Sequence, residues 1–150
     1  MTQPAPESFN EMLQQLIPSA HWLGVRVVEL APGMARSEVP LQDNTNHLGT
    51  MYAAAMFTVA EVLGGALVLA TFDVARYYPV VKELTLRFRR PARSDVSARA
   101  ALPADLVASL TAEADNAGKA EFILDVDLLD AEGQLVATSH GTYQIRRHGS

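Results

Sequence analysis

The sequence predicts an α+β fold in which an antiparallel β-sheet wraps one long apolar helix, and three observations predict it. Residues 48–72 are hydrophobic on every side of a helical wheel, the mark of a helix buried all round. After them the apolar period changes from 3.6 to 2, the mark of strands with one buried face. Turn signals between those strands imply hairpins, hence an antiparallel sheet whose buried face needs a cover. The apolar helix supplies that cover.

Each element follows from local chemistry. A loose lead precedes a helix whose start has capping-box spacing, with Ser8 and Glu11 as the reciprocal pair. Phe9, Met12, Leu13, Leu16 and Ile17 recur at helical spacing, and Pro18 stops the run. Two short strands at 25–30 and 34–39 are joined by a Pro32-Gly33 turn. Residues 42–47 form a polar loop, and the apolar helix runs from about 50 to 71 with Thr50 as its candidate cap. Leu84, Leu86 and Phe88 alternate with Thr85, Arg87 and Arg89, and the strand 80–89 is the expected free edge of the sheet. Val96, Ala98, Ala100 and Leu102 make another strand. Pro103 then opens an amphipathic helix that Gly118 stops. Phe122, Leu124, Val126 and Leu128 alternate with Asp125 and Asp127, and the turn 130–133 leads into a last strand at 135–145.

Composition narrows the function classes. With 150 residues and 49% hydrophobic content, residues 1–150 are expected to form a single domain, with 1–20 as an N-terminal extension carrying the short helix. There are no cysteines, which rules out disulfides and thiolate metal sites. His21, His140 and His148 lack metal-ligand spacing, so neither a metal nor a cofactor is expected. A net charge of −5 argues against nucleic acid as a partner. No basic n-region precedes an apolar h-region, so the cytoplasm is the expected location. A membrane partner is not expected either. About twenty apolar residues would reach across a bilayer. Alanine, glycine and threonine dilute this run, however, and its central acid would add roughly 2.5 kcal/mol to insertion.

That acid is Glu61, the only acidic or basic residue between His47 and Asp73. Burying an unpaired carboxylate is costly and pushes its pKa up. It is either a structural carboxylate bonded to a neighbouring turn or a base tuned toward neutrality. Backbone N–H groups near residues 51–54, at the helix start, could polarise a carbonyl. Met51, Met56, Phe57, Leu63 and Leu86 are candidates for an apolar slot, or plain core. Asn46 is either a turn residue or a site residue. Arg87, Arg89, Arg90 and Arg93 are either a solvated strand face or contacts for phosphates.

A sheet curled around one long hydrophobic helix is the hotdog architecture, and the residues carry a resemblance to it. The run from Asn46 to Glu61, Asn-His-Leu-Gly-Thr-Met-Tyr-Ala-Ala-Ala-Met-Phe-Thr-Val-Ala-Glu, resembles the turn and helix of phenylacetate-type hotdog thioesterases. Phe88-Arg-Arg-Pro-Ala92, followed by Asp95-Val96, resembles a strand-end pattern of the same superfamily. From about Trp22 to Arg146 the chain is most similar to an uncharacterised subgroup related to the C-terminal domain of an acetyltransferase fusion protein. The resemblance implies an acyl-thioester hydrolase with Glu61 as general base or nucleophile and with Asn46, which precedes the turn where the family often has an asparagine, as a second catalytic residue. It also implies substrate contacts from Gly49, Thr50, Met51, Tyr52, Ala53, Ala54 and Phe57. Gly49 falls on the first glycine of the family motif, whereas Tyr52 replaces its histidine and Ala53 and Ala54 its paired glycines. The thioester, of coenzyme A or a carrier protein, would bind between two subunits, with the acid of one facing the helix turn of the other. A homodimer or a dimer of dimers is therefore implied. Two other functions fit: a non-catalytic hotdog module that binds an acyl group or small ligand, and a 3-hydroxyacyl thioester dehydratase using His47 and Glu61.

Overall fold

The computed structural model describes residues 5–150; the first four positions of the expected lead lie outside it. In chain order the elements are α1 (Pro6–Leu16), α2 (Pro18–Trp22), β1 (Arg26–Ala31), β2 (Met34–Val39), α3 (Ala53–Thr71), β3 (Tyr77–Phe88), β4 (Val96–Ala101), α4 (Ala104–Ala117), β5 (Lys119–Leu129) and β6 (Leu135–Arg147). The six strands form one antiparallel sheet in the order β1-β2-β4-β5-β6-β3, curled around α3. This is the hotdog fold.

The core lies between the sheet's inner face and α3. Along β5, Ala120, Phe122, Leu124, Val126 and Leu128 point inward and are buried, while the residues between them are exposed. Val59, Leu63 and Leu67 of α3 meet that face and are fully buried, each worth about 1.5–3 kcal/mol in area removed from water. One polar tie crosses the core: the buried Ser37 hydroxyl of β2 donates to the Val59 carbonyl of α3 at 2.8 Å. The tie satisfies a hydroxyl that would otherwise be buried unpaired.

Strand β3 is a sheet edge, as its sequence suggested, pairing among the described residues only with β6. It starts at Tyr77, earlier than the alternation shows, because Tyr77 pairs with Arg147 and the last strand also runs two residues further than expected. Gly118 ends α4 in the left-handed conformation, as expected.

Three expectations need correction. Helix α1 starts at Pro6 after Ala5, with no side-chain cap, so Ser8 and Glu11 form no capping box. Proline is pre-organised for the first helical position, and it starts the helix two residues before Ser8. For the same reason Pro18 both ends the first helical run and opens the unexpected α2. Thr50 is not the cap of α3, which starts at Ala53 after an extended Tyr52. Met51 and Tyr52 are instead held by bonds from Met51 N–H to the Ala92 carbonyl (2.9 Å) and from Tyr52 N–H to the Asn44 carbonyl (2.8 Å), with Tyr52 extended.

The third correction bears on the site. Helix α3 is not buried on every side: Ala54, Phe57, Thr58, Glu61, Gly65 and Leu69 form a stripe at helical spacing that the sheet leaves at least partly open. The helix is apolar and long enough to cross a membrane, yet most of it is buried within the curl of the sheet. Helix α1 covers part of the open stripe. Its position is set by Asn10, whose side chain donates to the Val27 carbonyl (2.8 Å) and accepts from the Val27 N–H (2.9 Å).

Candidate active site

Glu61 lies on the open stripe and lines a cavity of about 360 Å³ bounded by α1, α3, β3 and β6. The walls are Phe9, Leu13 and Leu16 of α1, Leu69 of α3, Val81 of β3 and their neighbours, with Tyr143 of β6 alongside. Burial raises the Glu61 pKa above the ordinary carboxylate value, and among the described residues no neighbouring cation or hydrogen bond opposes the rise.

Tyr143 is the second polar group in this cavity. Its ring stacks on Phe122, with centroids 5.8 Å apart and planes 18° apart. Two glycines make room for it. A Cβ on Gly64 of α3 would overlap the ring, and one on Gly141 would stand 2.5 Å from Cε2. Burial, and then the nearby Glu61 charge, push the Tyr143 pKa up, so the phenol stays protonated. Neither Glu61 nor the Tyr143 hydroxyl has a hydrogen-bond partner among the described residues, and neither is sealed off from the cavity.

The helix start forms a different surface. Asn46 organises the turn that leads into it: its Oδ1 accepts from the N–H groups of Leu48 (2.9 Å) and Thr50 (3.1 Å), and its Nδ2 donates to the Thr50 hydroxyl (3.0 Å). The turn requires a positive φ at Gly49, +74°, where a side chain would be strained. Asn46 therefore spends its polar atoms on the turn. With the N–H groups of Met51 and Tyr52 also bonded within the chain, the free donors at the helix start are those of Ala53 and Ala54. Beside them a groove runs between Asn46, Thr50, Met51, Ala53 and Met56 on one side and residues 88–92, including Arg89 and Arg90, on the other.

Within one chain these two surfaces stay apart. Eight residues of helix separate Ala53 from Glu61, a rise of about 12 Å. Of the residues first considered for an apolar slot, Leu63 is buried in the core, Met51 and Met56 are buried beside the groove, and Phe57 is 42% exposed. Leu86 is partly buried against the core, and none of the five lines the Glu61 cavity. Tyr52 is 54% exposed next to the turn, and His47 lies with it on the loop surface rather than beside Glu61. Arg87, Arg89, Arg90 and Arg93 are exposed, and Arg90 donates to Gln134 at 2.7 Å. No group of three acidic or histidine side chains among the described residues could hold a metal ion.

Sequence reasoning missed Tyr143 and the α1 wall. The clue to Tyr143 was the Gly64-Gly65 pair inside a helix, since glycine there costs stability and signals a packing reason. The clue to the wall was the apolar face of α1, which reads equally well as core.

A curled antiparallel sheet, a central helix carrying a lone acid and an ordered turn at that helix's start define a hotdog protein. Residues 5–145 match the family described as a domain of unknown function (DUF4442), and the chain belongs to that family. It is similar to PA5026 from Pseudomonas aeruginosa, a protein of unknown function and probable thioesterase, at 46% identity and a TM-score of 0.89. That match covers 97% of this chain and 99% of the other. More distant structures share the fold. OLEI01261 from Chlorobaculum tepidum, of unknown function, is 17% identical with a TM-score of 0.80, covering 95% of this chain and 97% of the other. The thioesterase HI1161 from Haemophilus influenzae is 16% identical with a TM-score of 0.76, covering 99% of this chain and 95% of the other. No curated protein matches the chain.

Proposed function

We propose that this protein hydrolyses acyl thioesters, with Glu61 as general base and the free N–H groups at the start of α3 as the oxyanion hole. The observation that carries the proposal is a carboxyl of raised pKa, without a hydrogen-bond partner among the described residues, in a largely apolar cavity. The likeness to PA5026, a probable thioesterase, supports it.

A base must reach the attacking water while the oxyanion donors sit about 3 Å from the carbonyl oxygen. About 12 Å of helix within one chain is too far for that. The site is therefore shared by two subunits: Glu61 of one protomer meets Ala53 and Ala54 of the partner subunit. The unpaired edge of β3 offers a way to pair two copies about a two-fold axis. The groove bearing Arg89 and Arg90 adjoins the same helix start and suits the phosphates of a coenzyme A thioester. Water adds to the thioester carbonyl carbon, its proton passes to Glu61, and the C–S bond breaks as that proton moves to sulfur. The products are a carboxylic acid and a thiol.

The second reading is a binding module without chemistry. It draws on Tyr52, Ala53 and Ala54 standing where the thioesterase motif has histidine and glycines. Incubating the pure protein with a panel of acyl-coenzyme A esters and following free thiol decides between the two. Thiol release that Glu61→Gln abolishes supports the hydrolase, and saturable binding without release supports the module.

A further inference from the structure

We propose that Tyr143 is a positioning residue of this site, its hydroxyl holding the attacking water against the Glu61 carboxylate. The inference rests on the hydrolase reading above.

The ring is closely held on three sides. Phe122 stacks on it, while Gly64 and Gly141 give up their side chains to admit it. Phenylalanine would satisfy all three contacts. The hydroxyl is therefore an addition, on a residue that lines a cavity whose walls, Glu61 apart, are apolar. A hydroxyl in such surroundings costs free energy unless it finds a partner. Among the described residues the one other polar side chain there is Glu61, since α1, β3 and the rest of α3 contribute no titratable or charged group to the cavity. The two do not bond to each other directly although both line the one cavity, and we place a single water between them.

Such a water donates one hydrogen to the Glu61 carboxylate and accepts one from the Tyr143 hydroxyl. Its second lone pair stays free to form the bond to the thioester carbon. The water's proton moves to Glu61 in that step and to the leaving sulfur in the next. Tyr143 begins and ends protonated, in keeping with its raised pKa.

Tyr143→Phe keeps the ring and removes only the donor. With decanoyl-coenzyme A we expect kcat to fall about tenfold or more with KM within about twofold. The acidic limb of the rate profile should move to higher pH, because the carboxylate loses the donor network that favours its charged form. The same upward shift is expected in a carbon-13 NMR titration of the Glu61 carboxyl without substrate. Incorporating 3-fluorotyrosine at position 143 makes a stronger donor and should move that titration down. An unmoved Glu61 titration in both variants, with kcat within about twofold, would overturn the proposal and leave Tyr143 a packing residue. If the wild type releases no thiol while the titration still moves, the hydrolase reading falls and the pairing of Tyr143 with Glu61 stands.

Discussion

Gly64 and Tyr143 occupy one space: the phenol ring lies where a methyl on Gly64 would be, which joins the middle of α3 to β6 beside Glu61. The neighbouring Gly65 has nothing within 4 Å of the position a Cβ would take. Two adjacent glycines in one helix therefore answer to different physics. Gly64→Ala should destabilise by about 1–3 kcal/mol through overpacking. Gly65→Ala should be neutral or stabilising by up to about 1 kcal/mol through helix propensity. Thermal unfolding of the two variants checks this, and equal melting temperatures would contradict the shared space.

Glu61 should govern both rate and pH-dependent stability. Glu61→Gln keeps the shape and removes the base, so hydrolysis should fall about a hundredfold or more. Its folded-state pKa is raised, so the folded state holds the carboxyl proton more tightly than the unfolded chain does. Wild-type stability from this group is therefore fullest below the unfolded carboxylate pKa and declines as pH rises toward the folded one. The glutamine variant lacks that decline. Melting curves from acid to neutral pH should show it gaining on the wild type as pH increases.

The free donors at the helix start predict an order of effects. Tyr52→Phe removes an exposed hydroxyl and should cost less than about tenfold in rate. Ala53→Pro deletes a donor and should cost about a hundredfold. Tyr52 already has φ −63° and ψ 135°, the conformation that a following proline favours, so the fold should survive. Steady-state kinetics on the two variants gives the answer. The reverse order would make the tyrosine hydroxyl the electrophile.

A site shared between subunits can be complemented. Glu61→Gln and Ala53→Pro should each be nearly inactive as homodimers. Refolded together in equal amounts, they should form mixed dimers with one intact site, recovering about a quarter of wild-type activity. No recovery would place base and oxyanion donors in one chain.

The wild-type chain should sediment as a dimer or larger at micromolar concentration, because β3 presents a twelve-residue unpaired edge. A stable monomer under those conditions would remove the shared site. Velocity sedimentation distinguishes the two.

The sequence by itself determined the fold class, the strands, the long core helix and the singular character of Glu61. Each of these rests on a local signal: a period of two or 3.6, a turn dipeptide, or one charge in an apolar run. Capping was read less well, because Pro6 and the bonds holding residues 50–52 set the helix starts, and prolines and long-range bonds compete with local cap chemistry. Only the tertiary structure decided what surrounds Glu61. Val81 and Tyr143 lie 20 and 82 positions away from it in the chain, and α1 more than 40, yet all of them meet at one cavity. Side-chain period tells which face of an element is apolar but not which other element covers it. That choice is made by the curl of the sheet, by Asn10 anchoring α1 to Val27, and by two glycines leaving room for one ring.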